Sequence, residues 1–192
     1  MSTLDFGPAT RATAAVVAGV RDDQLDHPTP CPAYTVADLL DHVNGLSSAF
    51  TSAARKERPE GGGDPSADGS RLPDDWRDAI PAALTGLAEA WRDPSAFEGM
   101  TQAGPVELPG DVAAMVALNE VVVHGWDVAV ATGQPYDPDP VAVTACLGFV
   151  ETFDAPADDD GGLFGPAVVV PSEAPVLDRL AGATGRRPDW TA

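Results

Sequence analysis

The chain has 192 residues and a formal net charge of -19 at pH 7, from 30 acidic against 11 basic residues, of which Lys56 is the one lysine. Such a surface repels phosphate backbones and anionic headgroups, which argues against nucleic acid and membrane partners and leaves a small-molecule substrate. The length fits a single domain spanning 1–192, with enough apolar residues for a sizeable core.

The two cysteines, Cys31 and Cys146, have no C-x-x-C spacing and make no disulfide framework, as expected of a reducing cytoplasm. The N-terminus has neither a basic start nor a cleavable apolar segment, and no stretch reads as a membrane span, so a cytoplasmic protein is expected, as a monomer or homodimer.

In chain order, Phe6, Ala9, Ala12, Val16, Val17 and Val20 recur at helical spacing and predict a first helix over 5–20. Prolines 28, 30 and 32 forbid regular structure until Thr35, which with Asp38 three residues later forms a capping-box signature. A second helix is therefore expected from Thr35 through Ala54, with His42 beside its apolar stripe of Val36, Leu39, Leu40, Val43, Leu46 and Phe50. Residues 58–73 lack periodicity and are rich in Gly, Pro and Asp, so a mobile, dispensable loop is expected. A third helix over Asp75 to Trp91 contains Pro81, which predicts a kink or a break.

Residues 93–110 form a connector with a short extended piece at Val106 to Leu108. The fourth helix is expected from Gly110 to Thr132, ended by Gly133, and the fifth from Pro140 to Asp154. After the acidic stretch ADDDGG, an extended Val168 to Val170 and a short helix from Pro175 to Ala183 complete the chain. Four main helices, a short C-terminal helix and long loops describe an all-α bundle.

The most informative stretch is Asn119–Gly133, NEVVVHGWDVAVATG, whose only ionisable side chains are Glu120, His124 and Asp127. At 3.6 residues per turn these fall within an arc of about 60° on one helix face, inside a helix that is apolar nearly all round. Charge buried there requires partners or a cation. Two readings follow. In one, Glu120, His124 and His42 ligate a divalent metal and leave an open position for water or substrate. In the other, Glu120 and His124 form a one-turn ion pair and His42 is a hydrogen-bonded core residue. Asp127 either fixes the His124 ring as an outer acceptor or caps neighbouring backbone. Trp126 is expected to pack the core, His27 to be exposed or to serve as a fourth ligand, and Cys31 to be a small packed residue rather than a nucleophile. No phosphate loop, dinucleotide fingerprint or serine-hydrolase elbow is present.

The segments TPCPAYTVADLLDHV, ALNEVVVHGWDVAVATG and APVLDRLAGATGRRPDW resemble, in order, landmarks of the actinobacterial metal-binding proteins related to the N-terminal domain of mycothiol-dependent maleylpyruvate isomerase, in the DinB-like superfamily. The resemblance implies an up-down-down-up four-helix bundle with a long crossover between its second and third helices. It implies metal ligation by His42, Glu120 and His124, with zinc first among zinc, nickel, manganese and iron. It also implies mycothiol as co-substrate of a thiol S-transferase or isomerase acting on a small electrophile. A metal-dependent hydrolase and a non-catalytic binding or regulatory bundle are the alternatives. The chain departs from the motif in having Ala33 and Tyr34 where Gly-Trp is common, and no counterpart of the isomerase's additional C-terminal domain is expected.

Overall fold

Residues 4–32, 34–57, 67–153 and 165–191 are described by a computed structural model. It contains helices α1 (Gly7–Ala18), α2 (Val36–Ala54), α3 (Trp76–Ala90), α4 (Gly110–Thr132), α5 (Pro140–Val150) and α6 (Val176–Ala183). Strands β1 (Met100–Ala103) and β2 (Val106–Pro109) pair as an antiparallel hairpin between α3 and α4. The molecule is an all-α DinB-like bundle.

The helix ends follow local chemistry. At α2 the Thr35 hydroxyl accepts from Asp38 N–H at 3.2 Å, and the Asp38 carboxylate accepts from Thr35 N–H at 2.8 Å. These are the reciprocal bonds of a capping box, which satisfy backbone donors the helix leaves open. The Asp139 carboxylate accepts from Ala142 N–H at the start of α5. Helix α4 stops at Gly133, whose φ of 69° is left-handed and suits a residue without a Cβ.

Helix direction can be read from the contacts at the helix ends. Phe6, just before α1, stacks on Trp91, just after α3, with centroids 5.6 Å apart, while Arg77 at the start of α3 donates to Val20 O just beyond α1. Helices α1 and α3 are therefore antiparallel. Gln134 after α4 donates to Val16 O near the end of α1, so α1 and α4 run parallel. Lys56 after α2 donates to Ala96 O, and Gly110 at the head of α4 sits against both groups, so α2 and α4 are antiparallel. It follows that α2 and α3 are parallel. This is the up-down-down-up order, with α1 and α2 each packing on both α3 and α4.

Leu39, Leu40, Ile80, Leu84, Leu87 and Leu118 are fully buried between these four helices. Each contributes about 1.5–3 kcal/mol relative to exposure. Helix α4 is long and apolar enough to cross a bilayer, yet most of it is buried inside the bundle, under α1 and α2 on one side and α5 on another, with α6 packed on α5.

Three expectations are corrected and one is extended. Of the kink or break expected at Pro81, the break is absent: helix α3 continues through it. The ring removes one bond, to Arg77 O in the first turn, and the buried Ile80, Leu84 and Leu87 hold the remainder. The second half of the expected mobile loop is docked: Gly69 N–H donates to Asp38 at 2.7 Å, and Asp68 N–H and Arg71 donate to Asp41 at 3.1 and 3.0 Å. Residues 58–66, the first half, lie outside the described residues. The expected extended piece at Val106 to Leu108 is present, as one arm of a hairpin anchored by Thr101 Oγ1 donating to Ala53 O at 2.5 Å. Helix α5 ends at Val150, and Phe153 lies beyond it, 40% exposed and packed edge-on against Phe149.

Candidate metal centre

The centre lies where α2 crosses α4. His42 reaches it from the edge of the buried α2 stripe, and Glu120, His124 and Asp127 from successive turns of α4, as their common helix face requires. His42 Nε2 lies 3.4 Å and His124 Nε2 3.0 Å from the same oxygen, Glu120 Oε2. The two imidazole rings are 4.9 Å apart, centroid to centroid, and nearly perpendicular. Tyr34 covers the His42 ring from the entrance of α2, at 5.7 Å.

Behind His124, its Nδ1 meets Asp127 Oδ2 at 3.0 Å. Of the two roles expected for Asp127, the structure shows the acceptor that fixes the ring. Asp127 is completely buried, and a carboxylate there needs compensation. Arg186 supplies it from the segment after α6, with Nη2 at 3.0 Å from Oδ2 and Nε at 3.3 Å from Oδ1. The result is a continuous series of side-chain contacts, His42, Glu120, His124, Asp127 and Arg186.

Electrostatics follow from that order. Burial pushes the Glu120 carboxyl up, but His124 and then His42 outweigh it and hold the group well below the usual carboxylate range. Burial lowers the His124 imidazole, but Glu120 and Asp127 outweigh it and raise it to about 9. Asp127 is likewise opposed by burial and held low, first by Arg186 and then by His124. Arg186, despite its burial, is held protonated by Asp127, with Cys31 and Glu120 adding to the effect.

The donor set suits a divalent cation. One imidazole nitrogen from each histidine and a carboxylate oxygen all lie within 4.8 Å of one another. Donors each about 2.0–2.2 Å from a tetrahedral ion stand roughly 3.3–3.6 Å apart, and the two imidazole nitrogens lie 3.4 and 3.0 Å from Glu120 Oε2. The acceptor behind His124 places a proton on Nδ1 and turns Nε2 toward Glu120, as an outer partner of a ligating histidine does.

His27 does not join this cluster among the described residues; it is partly buried, and its carbonyl accepts from Val36 N–H at 3.0 Å. Trp126 is buried. Cys31 lies in the loop entering α2, tied by Thr29 Oγ1, which donates to Cys31 O at 2.9 Å, and its side chain is near enough to Tyr34 and Arg186 to influence both electrostatically. Arg186 is the residue that sequence reasoning missed. A buried Asp127 calls for a cation, but nothing in the sequence says which arginine crosses 59 positions to meet it.

The fold and this cluster define a DinB-like bundle protein with a candidate divalent-cation site between its second and fourth helices. The chain belongs to the family described as mycothiol maleylpyruvate isomerase N-terminal domain, whose model matches residues 6–129. That range holds all three donors and Asp127, and stops short of Arg186. Two curated relatives, both called uncharacterized proteins, from two strains of Mycobacterium tuberculosis, are each 32% identical over 180 residues, covering 93% of this chain and 93% of their own. No solved structure matches the chain.

Proposed function

We propose that this protein binds a divalent cation, zinc before nickel, manganese or iron, through His42, Glu120 and His124, and uses it to activate a low-molecular-weight thiol for attack on a small electrophile. The observation that carries the reading is the convergence of three ligand atoms from two helices at one point of an otherwise apolar bundle. Membership of a mycothiol-linked isomerase family supports mycothiol as the thiol, with an isomerisation or a related S-transfer as the reaction. When bound, such an ion lowers the pKa of a coordinated thiol and supplies a thiolate at neutral pH.

The chain's own groups prepare the site. Asp127 holds the Nδ1 proton of His124 and fixes the ring. Glu120 sits between both Nε2 atoms and brings negative charge to the point where a cation is needed. Asp127 is fully buried and Arg186 nearly so, and low local polarity strengthens charge interactions there.

Protein prepared without an affinity tag and analysed for metal tests the first half, since a nickel column loads such sites. Turnover of an electrophile, measured with and without mycothiol and with the metal stripped, tests the second. Turnover that needs both supports the proposal. Hydrolysis without thiol would reassign the site to a metal-dependent hydrolase, and bound metal without turnover to a binding bundle. Protein that takes up no metal would leave the cluster as a hydrogen-bonded core network.

A further inference from the structure

We propose that Arg186 is a positioning residue of the centre, and that the tail following α6 therefore completes a site whose donors all lie on α2 and α4. The inference rests on His124 being a ligand. Its basis is the two-point contact on Asp127: Nε and Nη2 of one guanidinium meet both carboxylate oxygens, and the planar fork fixes the carboxylate plane as a single point charge would not. The same Oδ2 that Arg186 holds at 3.0 Å holds His124 Nδ1 at 3.0 Å. The orientation of the His124 ring is thus set through Asp127 by a residue 62 positions away from it in the chain.

The tail is shaped to deliver this guanidinium. After α6, Gly185 N–H donates to Gly182 O at 3.0 Å and Arg186 N–H to Ala181 O at 2.8 Å, the paired bonds of a Schellman turn. Gly185 has the left-handed φ of 85° that this turn requires. The turn reverses the chain so that Arg186 points back toward α4, and its Nη1 donates to Thr184 O at 2.7 Å, which locks the third nitrogen. Gly182 is packed so closely against Val168 O and Val170 that a side chain there would collide with them, and Val168 N–H donates to Gly182 O at 2.8 Å. The neighbouring arginine behaves differently. Arg187 is 69% exposed and pairs with the equally exposed Asp189, whereas the Arg186 side chain is 12% exposed. One of two adjacent arginines is thus a surface ion pair, and the other reaches the fully buried carboxylate behind the site.

The test uses the full chain and the variants Arg186→Lys, Arg186→Met, Asp127→Asn and the double variant Asp127→Asn with Arg186→Met. Zinc affinity is measured by competition with a chromophoric chelator, fold by circular dichroism, and the His124 ring by long-range nitrogen–proton spectra of metal-free protein. Arg186→Lys and Arg186→Met are each expected to weaken zinc by about 10–100-fold while keeping the helical spectrum, the range typical of removing an outer partner of a ligand. The double variant is expected to be no weaker than Asp127→Asn alone, because the two residues act in series. In metal-free protein the His124 signals should change in Arg186→Lys. Wild-type zinc affinity in a folded Arg186→Lys variant overturns the proposal, and so do losses that multiply in the double variant. Should Arg186→Met not fold, Arg186→Lys decides, since it keeps a cation beside Asp127. Should the wild-type chain bind no zinc, it is the metal reading that fails, and the His124 spectra alone then decide whether Arg186 sets the ring.

Discussion

Replacing Gly125 by alanine should destabilise the protein although it improves local helix propensity. Gly125 lies on α4 between His124 and Trp126, where a Cβ would stand 2.5 Å from Thr13 Oγ1, 2.5 Å from the Tyr136 hydroxyl and 2.8 Å from Tyr136 Cζ. Thr13 has little room to retreat: it is fully buried on α1, and its hydroxyl donates to Val121 O at 3.0 Å and lies 3.2 Å from the Tyr136 hydroxyl. Overpacking of this kind costs about 1–3 kcal/mol, and loss of the Thr13–Tyr136 bond about 1 kcal/mol more. The gain of alanine over glycine within a helix is about 1 kcal/mol, which leaves a net loss of about 2 kcal/mol. For a domain of this size that is a fall in Tm of about 4–8 °C. Gly45→Ala is the internal control. Gly45 is also helical, but exposed and with nothing within 4 Å of the added carbon, so Tm should rise by about 2–4 °C. Thermal unfolding followed at 222 nm measures both. A Gly125→Ala protein at or above wild-type Tm would refute the packing argument.

The metal-free protein should be most stable between about pH 5 and 6.5. His124 is raised from 6.5 to about 9 on folding, so its contribution is complete below 6.5 and disappears as pH climbs to about 9. The loss is on the order of 3 kcal/mol. Glu120 and Asp127 are lowered, so their contributions are complete above their ordinary values and disappear as pH falls below them. Urea denaturation at a series of pH values reads this directly, and a flat profile from 6.5 to 9 would mean that His124 is not protonated between its carboxylates. Over that window zinc affinity should rise about tenfold per pH unit, because binding expels the same proton. His42→Ala should leave the helical spectrum intact and weaken zinc by more than the roughly 100-fold that loss of an outer partner causes at most; equal affinity in a chelator competition would remove His42 from the ligand set. Asp38→Ala deletes the acceptor for Thr35 N–H, Thr35 Oγ1 and Gly69 N–H. It should cost about 1–2 kcal/mol, or about 3–6 °C in Tm, and an unchanged melting curve would return residues 67–73 to the status of a dispensable loop.

The helical content, most helix limits and the shared face of Glu120, His124 and Asp127 were legible in the sequence because they depend on neighbours along the chain. The Thr35–Asp38 box, the Gly133 stop and the common face of Glu120, His124 and Asp127 all follow from offsets of two to seven residues at helical geometry. His42 was legible as a residue beside a buried stripe. That it meets Glu120 depends on how α2 crosses α4, and the family pattern, rather than periodicity, pointed there.

The pairing of Asp127 with Arg186, the docking of residues 67–73 on Asp38 and Asp41, and the Gly125 contact with Thr13 and Tyr136 were decided by tertiary structure alone. Each joins groups that are distant in sequence, and its energy comes from burial and from matching of charge or shape that no local window contains. Pro81 shows the same division from the other side. Local chemistry asks the helix to break, and the burial of Ile80, Leu84 and Leu87 around the proline outweighs one missing hydrogen bond.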